Sequence, residues 1–162
     1  MKIFKSLTER IVGGLIVAAI AGTVGWFVTN WDNNPNETKI IVPEDGATVS
    51  HMVSAEGVYS EELTKVDLWL VVQPVNAPTY HPQTSTIPRQ TNRQWTGVAY
   101  IGESEKKNIG EEFIVHLVSA SPQASKNFRE YLSKSEKDKK WQGMPELPSG
   151  STIQDNIKVF RK

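Results

Sequence analysis

Cysteine is absent from the 162-residue chain. Without a thiol there is no disulfide, no cysteine nucleophile and no thiolate ligand for a metal ion. An excess of one charge is also absent, because 18 lysine and arginine residues balance 18 aspartate and glutamate residues. A chain with no net positive charge and no basic stripe lacks the surface that binds nucleic acid. We therefore expect no nucleic-acid partner.

Motifs of the common enzyme classes are missing as well. The three histidines, His51, His81 and His116, are far apart and form neither an HxH nor an HExxH metal motif. The adjacent pairs Glu61–Glu62 and Glu111–Glu112 point to opposite sides of an extended chain, so neither is a carboxylate dyad. GxSxG and glycine-rich phosphate loops are absent. We expect no enzyme activity, metal or cofactor; catalysis assembled from distant residues is the alternative.

One long apolar stretch is present near the N-terminus. Residues 11–29 carry no charge and are long enough to cross the hydrocarbon core of a bilayer as a helix. Trp26, Phe27 and Trp31 lie at the end of this stretch, where aromatic rings favour the lipid headgroups. Polar residues do not recur along one side, as they do in a soluble amphipathic helix. We predict a single transmembrane helix at 11–29.

A cleaved signal peptide is the alternative interpretation of this stretch. Three basic residues precede it, and Ala19-Ile20-Ala21 resembles a small-x-small cleavage site. Cleavage there leaves the apolar residues 24–28 at the new N-terminus, so we favour an uncleaved anchor in the inner membrane. The positive-inside rule places the basic tail 1–10 in the cytoplasm and the C-terminal domain outside it. The charge bias is modest, and the opposite orientation stays an alternative.

Small residues recur along one face of the predicted span, four residues apart. Such faces let two helix backbones approach closely in lipid. Glycine and alanine are also common in spans that have no partner, but several such pairs overlap here. We predict a homo-oligomer that forms in the lipid bilayer through these residues: Gly14, Ala18, Ala21, Gly22 and Gly25.

The remainder divides into a short connector and one domain. Residues 30–37 are polar, rich in asparagine and interrupted by Pro35, so they predict a linker. Residues 38–162 suffice for one domain with its own core. Strand-like segments recur in it, and one of them is apolar on both faces, as expected of a central strand. The segments are TKIIV, MVSAEGVYS, TKVDLWLVVQP, RQWTGVAYIG, EEFIVHLVSA and NIKVFRK.

One helix is predicted late in this domain. Ser121 followed by Pro122 is typical of a helix start, and the charged run 133–140 predicts its end. Six or seven strands with one late helix predict a mainly β fold, an antiparallel immunoglobulin- or fibronectin-like β-sandwich that follows the transmembrane helix. Trp69 is the expected core tryptophan. A small open barrel is the competing architecture.

A family resemblance agrees with this architecture. The ordered motifs PEDG, LWLVVQP, YHPQ, QWTG, LPSG and KVFR resemble an immunoglobulin-like domain of membrane-associated bacterial proteins of unassigned role. The resemblance covers the chain from about residue 38 to the end. It implies a sandwich fold and a bacterial source, and it carries no catalytic residue to this chain.

Candidate binding residues lie in the stretch 73–95, which is rich in proline, threonine, asparagine and glutamine. Loops carry binding residues more often than the scaffolds that hold them. The stretch offers stacking faces, hydrogen bonds and cations for a sugar, peptide or anionic ligand: Tyr80, His81, Gln83, Arg89, Arg93 and Trp95. We favour the simpler interpretation that residues 80–82 form an edge strand, which prolines protect from further pairing.

Two functional classes fit these features. The first is a non-enzymatic, single-pass membrane-anchored module that binds a protein or a ligand outside the cytoplasm. The second is a sensor-effector of bacterial antiviral defence, in which a ligand or partner binds a cytoplasmic domain and self-associating helices perturb the membrane. We expect the first, with a protein as its partner.

Overall fold

A computed structural model of the chain describes residues 36–90 and 92–162. The transmembrane helix predicted at 11–29 lies outside these residues, as does its small-residue face of Gly14, Ala18, Ala21, Gly22 and Gly25. In the described part of the chain, no helix has both the length and the apolar character needed to span a membrane.

The described residues form eight strands, one short 3-10 helix and one α-helix. In chain order they are β1 (Lys39–Val42), β2 (Ala47–Val49), β3 (Met52–Val58), the 3-10 helix (Glu61–Lys65), β4 (Asp67–Pro74), β5 (His81–Pro82), β6 (Gln94–Tyr100), β7 (Glu112–Ala120), α1 (Pro122–Asp138) and β8 (Ser151–Arg161).

The strands form two sheets. The smaller sheet has the order β1-β3-β6, and the larger sheet has the order β2-β8-β7-β4-β5. Neighbouring strands are antiparallel except β2 and β8, which run parallel. The mainly β prediction is confirmed, whereas the expectation of purely antiparallel pairing is wrong at β2, which joins the sheet beside the last strand instead of forming a hairpin.

Strand β4 is covered on both faces, as its apolar run predicts. Leu68, Leu70 and Val72 belong to the core between the two sheets. The alternate residues Trp69 and Val71 pack with α1 on the outer face of the larger sheet. Because successive side chains of a strand point to opposite faces, a continuous apolar run on β4 supports a three-layer arrangement of sheet, sheet and helix.

Helix α1 begins as the sequence indicates. Ser121 caps it, since its side chain accepts a hydrogen bond of 3.2 Å from the Ala124 N–H, and Pro122 occupies the first turn. The helix continues through Asp138, and Lys139 ends it in the left-handed conformation. The helix therefore ends inside the charged run 133–140, as predicted, although most of the run is helical: lysine and glutamate are good helix formers, and Ser135 on this last part of the helix is buried.

Two tryptophans of the described residues are buried, each in a different part of the core. Trp69 packs on Phe128 of α1, with ring centroids 5.1 Å apart, and its indole N–H donates to Ser125 Oγ at 2.9 Å. Trp95 lies between the sheets and donates to the carbonyl oxygen of Val58 at 3.1 Å. Trp69 is buried as expected, but it belongs to the layer under the helix, and Trp95 is the tryptophan of the sandwich core.

Candidate functional site

A groove of about 810 Å³ opens at one end of the sandwich. This is the end at which β4 and β6 finish and at which β7 begins. Three segments outside the main sheets contribute to its walls: the stretch around β5, the loop that follows β6, and the segment that follows α1. The groove is the candidate functional site because these three segments converge on it.

The segment after α1 forms one wall and carries an exposed aromatic ring. Trp141 is 52% exposed and lines the groove beside Lys140. The segment is fixed in place, since the Gly143 N–H donates to the Tyr131 hydroxyl oxygen at 3.0 Å. Met144 exchanges two backbone hydrogen bonds of 2.8 Å with Tyr80. The indole ring of Trp141 is therefore presented on an anchored backbone.

Gly143 also explains how closely this segment approaches β5. Its φ is +76°, and a Cβ atom at this position would lie 2.6 Å from Thr79 Cβ and 2.7 Å from His81 Nε2. A side chain here would have to displace both residues, and glycine is the residue that adopts this conformation at little cost.

Tyr100 and His51 form part of another wall of the groove. Their ring centroids are 5.7 Å apart and the ring planes are tilted by 57°, an arrangement that aromatic pairs prefer. His51 Nδ1 lies 3.1 Å from the carbonyl oxygen of Ile101, which fixes the imidazole ring. Tyr100 is 40% exposed, so this wall also presents an accessible aromatic surface.

Gln83 joins the two sheets at the groove. Its side-chain amide donates to the His81 carbonyl oxygen at 2.9 Å and accepts from the Tyr100 N–H at 2.8 Å. His81 belongs to the larger sheet and Tyr100 to the smaller one. Gln83 is buried, and both halves of its amide are used, so this side chain serves to position the walls.

The groove carries balanced charge. Lys139 and Lys140 line it together with Glu103 and Glu111. Glu111 accepts a hydrogen bond of 3.0 Å from the side chain of Asn108. Glu103 pairs with Lys107 at 2.6 Å, and this contact raises the pKa of Lys107.

His81 adds a neutral polar group to the groove. Burial lowers the pKa of its imidazole below the ordinary value, which favours the neutral form of the ring. Its Nε2 atom lies 3.1 Å from Thr79 Oγ1, within hydrogen-bonding distance. The polar character of this wall therefore comes from hydrogen-bonding groups, not from a fixed charge.

The six residues singled out in the sequence do not form one site. His81 and Gln83 line the groove, and His81–Pro82 is the edge strand of the larger sheet, as the simpler interpretation predicts. Tyr80 packs against His116 on the helix side, with ring centroids 5.8 Å apart. The remaining three residues, Arg89, Arg93 and Trp95, are not among the residues that line the groove.

These three residues have structural contacts around the start of β6. The Arg89 guanidinium donates to the carbonyl oxygen of Thr64, and its backbone forms a bridge with Trp95. Arg93 has a φ of +61°, and its carbonyl oxygen accepts from the Tyr59 N–H at 3.0 Å. Trp95 has no exposed surface and therefore no ring face that a ligand can reach.

Sequence reasoning missed the aromatic residues of both walls. Trp141 follows a long charged run, and a tryptophan in such a hydrophilic stretch was the available indication of a binding role. Tyr100 and His51 gave no comparable indication, because they occupy ordinary strand-end positions. Their meeting depends on the pairing of β3 with β6, in which Met52 lies opposite Tyr100.

Within residues 36–90 and 92–162, no group of three or more histidine, cysteine or acidic side chains is placed to hold a metal ion. No family model matches the chain, and a search of curated proteins finds no match either.

Proposed function

We propose that this chain is a non-enzymatic binding module, held in a membrane by residues 11–29, whose groove receives a ligand or a segment of a protein partner outside the cytoplasm. The observation that carries the proposal is the groove itself, in which the exposed ring of Trp141 and the Tyr100 and His51 pair lie on different walls. Concave sites with aromatic surface and a few placed polar groups are typical of ligand binding.

The strand order supports an immunoglobulin-like assignment for the domain. Immunoglobulin-like sandwiches place their first, second and fifth strands, A, B and E, in one sheet, with G, F and C in the other. Here β1, β3 and β6 correspond to A, B and E, and β8, β7 and β4 correspond to G, F and C. The short strand β5 then corresponds to C′, and helix α1 lies in the connection between F and G.

The position of the groove fits a binding role in such a fold. Loops at the ends of immunoglobulin-like sandwiches often carry binding residues on a rigid scaffold. The groove walls come from the C–C′ region, the loop after E and the segment between F and G, in this lettering. These loops lie at one end of the sandwich, where they are free to meet a partner.

Residues 11–29 supply the proposed attachment to the membrane. They form an uncharged apolar stretch that ends a few residues before the described domain begins. An anchor with the small-residue face Gly14, Ala18, Ala21, Gly22 and Gly25 also brings copies of the chain together in the bilayer. Weak binding by each groove is then strengthened by multivalency, since linked sites bind with an effective concentration set by their spacing.

The test is site-specific photo-crosslinking in living cells. Thr84 is exposed and lines the groove, whereas Thr48 is an exposed threonine of β2 that does not line it. A photoreactive amino acid is introduced at either position in the full-length chain. We expect an adduct of defined mass from position 84 and none from position 48. No adduct at position 84, or the same adducts at both positions, would contradict a binding role for the groove.

A further inference from the structure

We infer that the groove binds an uncharged oligosaccharide, a conclusion that rests on the proposed function of the groove as a binding site. A sugar ring has an apolar face of C–H groups and a rim of hydroxyl groups, and it carries no charge. A site for such a ligand needs an accessible aromatic face, several uncharged hydrogen-bonding side chains and no excess of charge. The groove meets all three requirements.

The aromatic face is the indole ring of Trp141. At 52% exposure it is the most accessible aromatic side chain in the described part of the chain, ahead of Tyr100 and Phe160. An exposed tryptophan leaves a large apolar surface in contact with water, and burial of that surface under a ligand is favourable. The backbone beside it is already fixed by the contacts of Gly143 and Met144. Stacking on this ring therefore costs little ordering of the protein.

Uncharged polar side chains line the same groove. Amide, hydroxyl and imidazole groups can each donate and accept hydrogen bonds, which matches the dual character of sugar hydroxyls. His81 belongs to this set, because its burial lowers the pKa of the imidazole and favours the neutral form. The other members that line the groove are Asn76, Thr79, Thr84, Asn108 and Gln142.

The main chain around the groove does not favour an extended peptide. Peptides that add a strand to a sheet need unpaired N–H and C=O groups along an edge. Here the Tyr100 N–H is taken by Gln83, and the N–H and C=O groups of Tyr80 are paired with Met144. The Gln83 N–H is also paired, with the carbonyl oxygen of Leu70 at 2.9 Å. Side chains are therefore the groups that recognise the ligand, which suits a ligand without peptide groups.

The charges of the groove argue against an acidic ligand. Glu103 and Glu111 line it with Lys139 and Lys140, so attraction by the lysines is opposed by repulsion from the glutamates. A carboxylate or sulfate brought into such a site meets charges of both signs, while it still loses hydration. An uncharged sugar avoids this cost.

The test uses the full-length chain in a detergent without sugar groups, applied to an array of oligosaccharides. The neutral set contains oligomers of hexoses and of N-acetylhexosamines, and the acidic set contains uronic-acid and sulfated oligomers. Trp141→Ala removes the platform and Trp141→Phe keeps a smaller ring. Phe160→Ala is the matched control, because Phe160 is an exposed aromatic residue that does not line the groove.

We expect the wild-type chain to bind members of the neutral set. Trp141→Ala weakens this binding about tenfold, as expected from loss of one stacking contact, whereas Trp141→Phe and Phe160→Ala bind within about threefold of the wild type. Binding to the acidic set alone, binding to no oligosaccharide, or binding unchanged by Trp141→Ala would each overturn the inference. A protein adduct at position 84 together with no glycan binding overturns the oligosaccharide and leaves the binding function in place.

Discussion

The hydrogen bond between Trp69 and Ser125 offers a quantitative test of the helix layer. Both side chains have no exposed surface, and indole Nε1 lies 2.9 Å from Ser125 Oγ. Ser125→Ala removes the acceptor and leaves a buried N–H group without a partner, which costs about 1–3 kcal/mol. The free energy of unfolding of a small domain is about 5–15 kcal/mol, so this cost is a measurable fraction of it.

The contribution of the unpaired indole N–H can be isolated by making Ser125→Ala in a Trp69→Phe variant. Trp69→Phe removes the N–H donor, so Ser125→Ala in that background no longer leaves an indole N–H unpaired. We expect it to cost less there by about 1 kcal/mol or more, which is the coupling energy of a double-mutant cycle. The assay is urea unfolding of the four proteins followed by far-ultraviolet circular dichroism, because the substitution of Trp69 itself alters the fluorescence.

The exposed Ser133 of the same helix supplies the control. Ser133→Ala is expected to change the free energy of unfolding by about 0.5 kcal/mol or less. Equal costs of Ser125→Ala in both backgrounds would refute the hydrogen bond. A cost of Ser125→Ala as small as that of Ser133→Ala would refute the burial of α1 on β4.

Three further predictions concern stability. Burial lowers the pKa of His116 below 6.5, so as the pH falls the unfolded chain binds a proton at this residue before the folded chain does. The free energy of unfolding should therefore decrease below about pH 6.5, and it should decrease less steeply in His116→Gln. Urea unfolding at a series of pH values measures this. Gly57→Ala should cost more than about 3 kcal/mol or abolish folding, since its Cβ would lie 2.7 Å from the Trp95 ring, and thermal unfolding measures this. Asp155→Ala should cost about 1–3 kcal/mol in the same assay, because Asp155 accepts from the Ile40 N–H at 2.7 Å.

The sequence indicated most strands because their local patterns agree with their environments. The apolar run of β4 predicted a strand covered on both faces, and Phe113, Val115 and Leu117 of β7 lie on one face in the core between the sheets, as their alternation predicts. Beyond Leu117 the register shifts against β8, and a shift of this kind depends on the partner strand. The extra residue of this shift lies on β8, and the alternation continues along all of β7, since Val118 and Ala120 lie on the opposite face, in the cluster under α1.

The layer to which a buried residue belongs was harder to predict. Trp69 and Trp95 are both apolar strand residues, and alternation alone does not say which face of a strand meets the helix. The pairing of β2 with β8 joins residues more than a hundred positions apart, such as Ala47 and Val159. No local pattern contains that contact.

The groove was only partly predictable for the same reason. His81 and Gln83 lie in a stretch whose composition is typical of a loop, and both line the groove. Trp141, Tyr100 and His51 come from three separate parts of the chain and line one groove only after both sheets and the helix are in place. Arg89 and Trp95 suggested a site by residue type, but their side chains are used to hold the sandwich together.

We propose that the groove faces ligands outside the cytoplasm while residues 11–29 hold the chain in a membrane. Because the chain has no cysteine, one cysteine introduced as Thr84→Cys reports the location of the groove through labelling by a membrane-impermeant maleimide. We expect labelling of Thr84→Cys in intact spheroplasts, and labelling of Lys2→Cys only after lysis. Labelling of Thr84→Cys only after lysis would contradict it and favour the cytoplasmic sensor-effector.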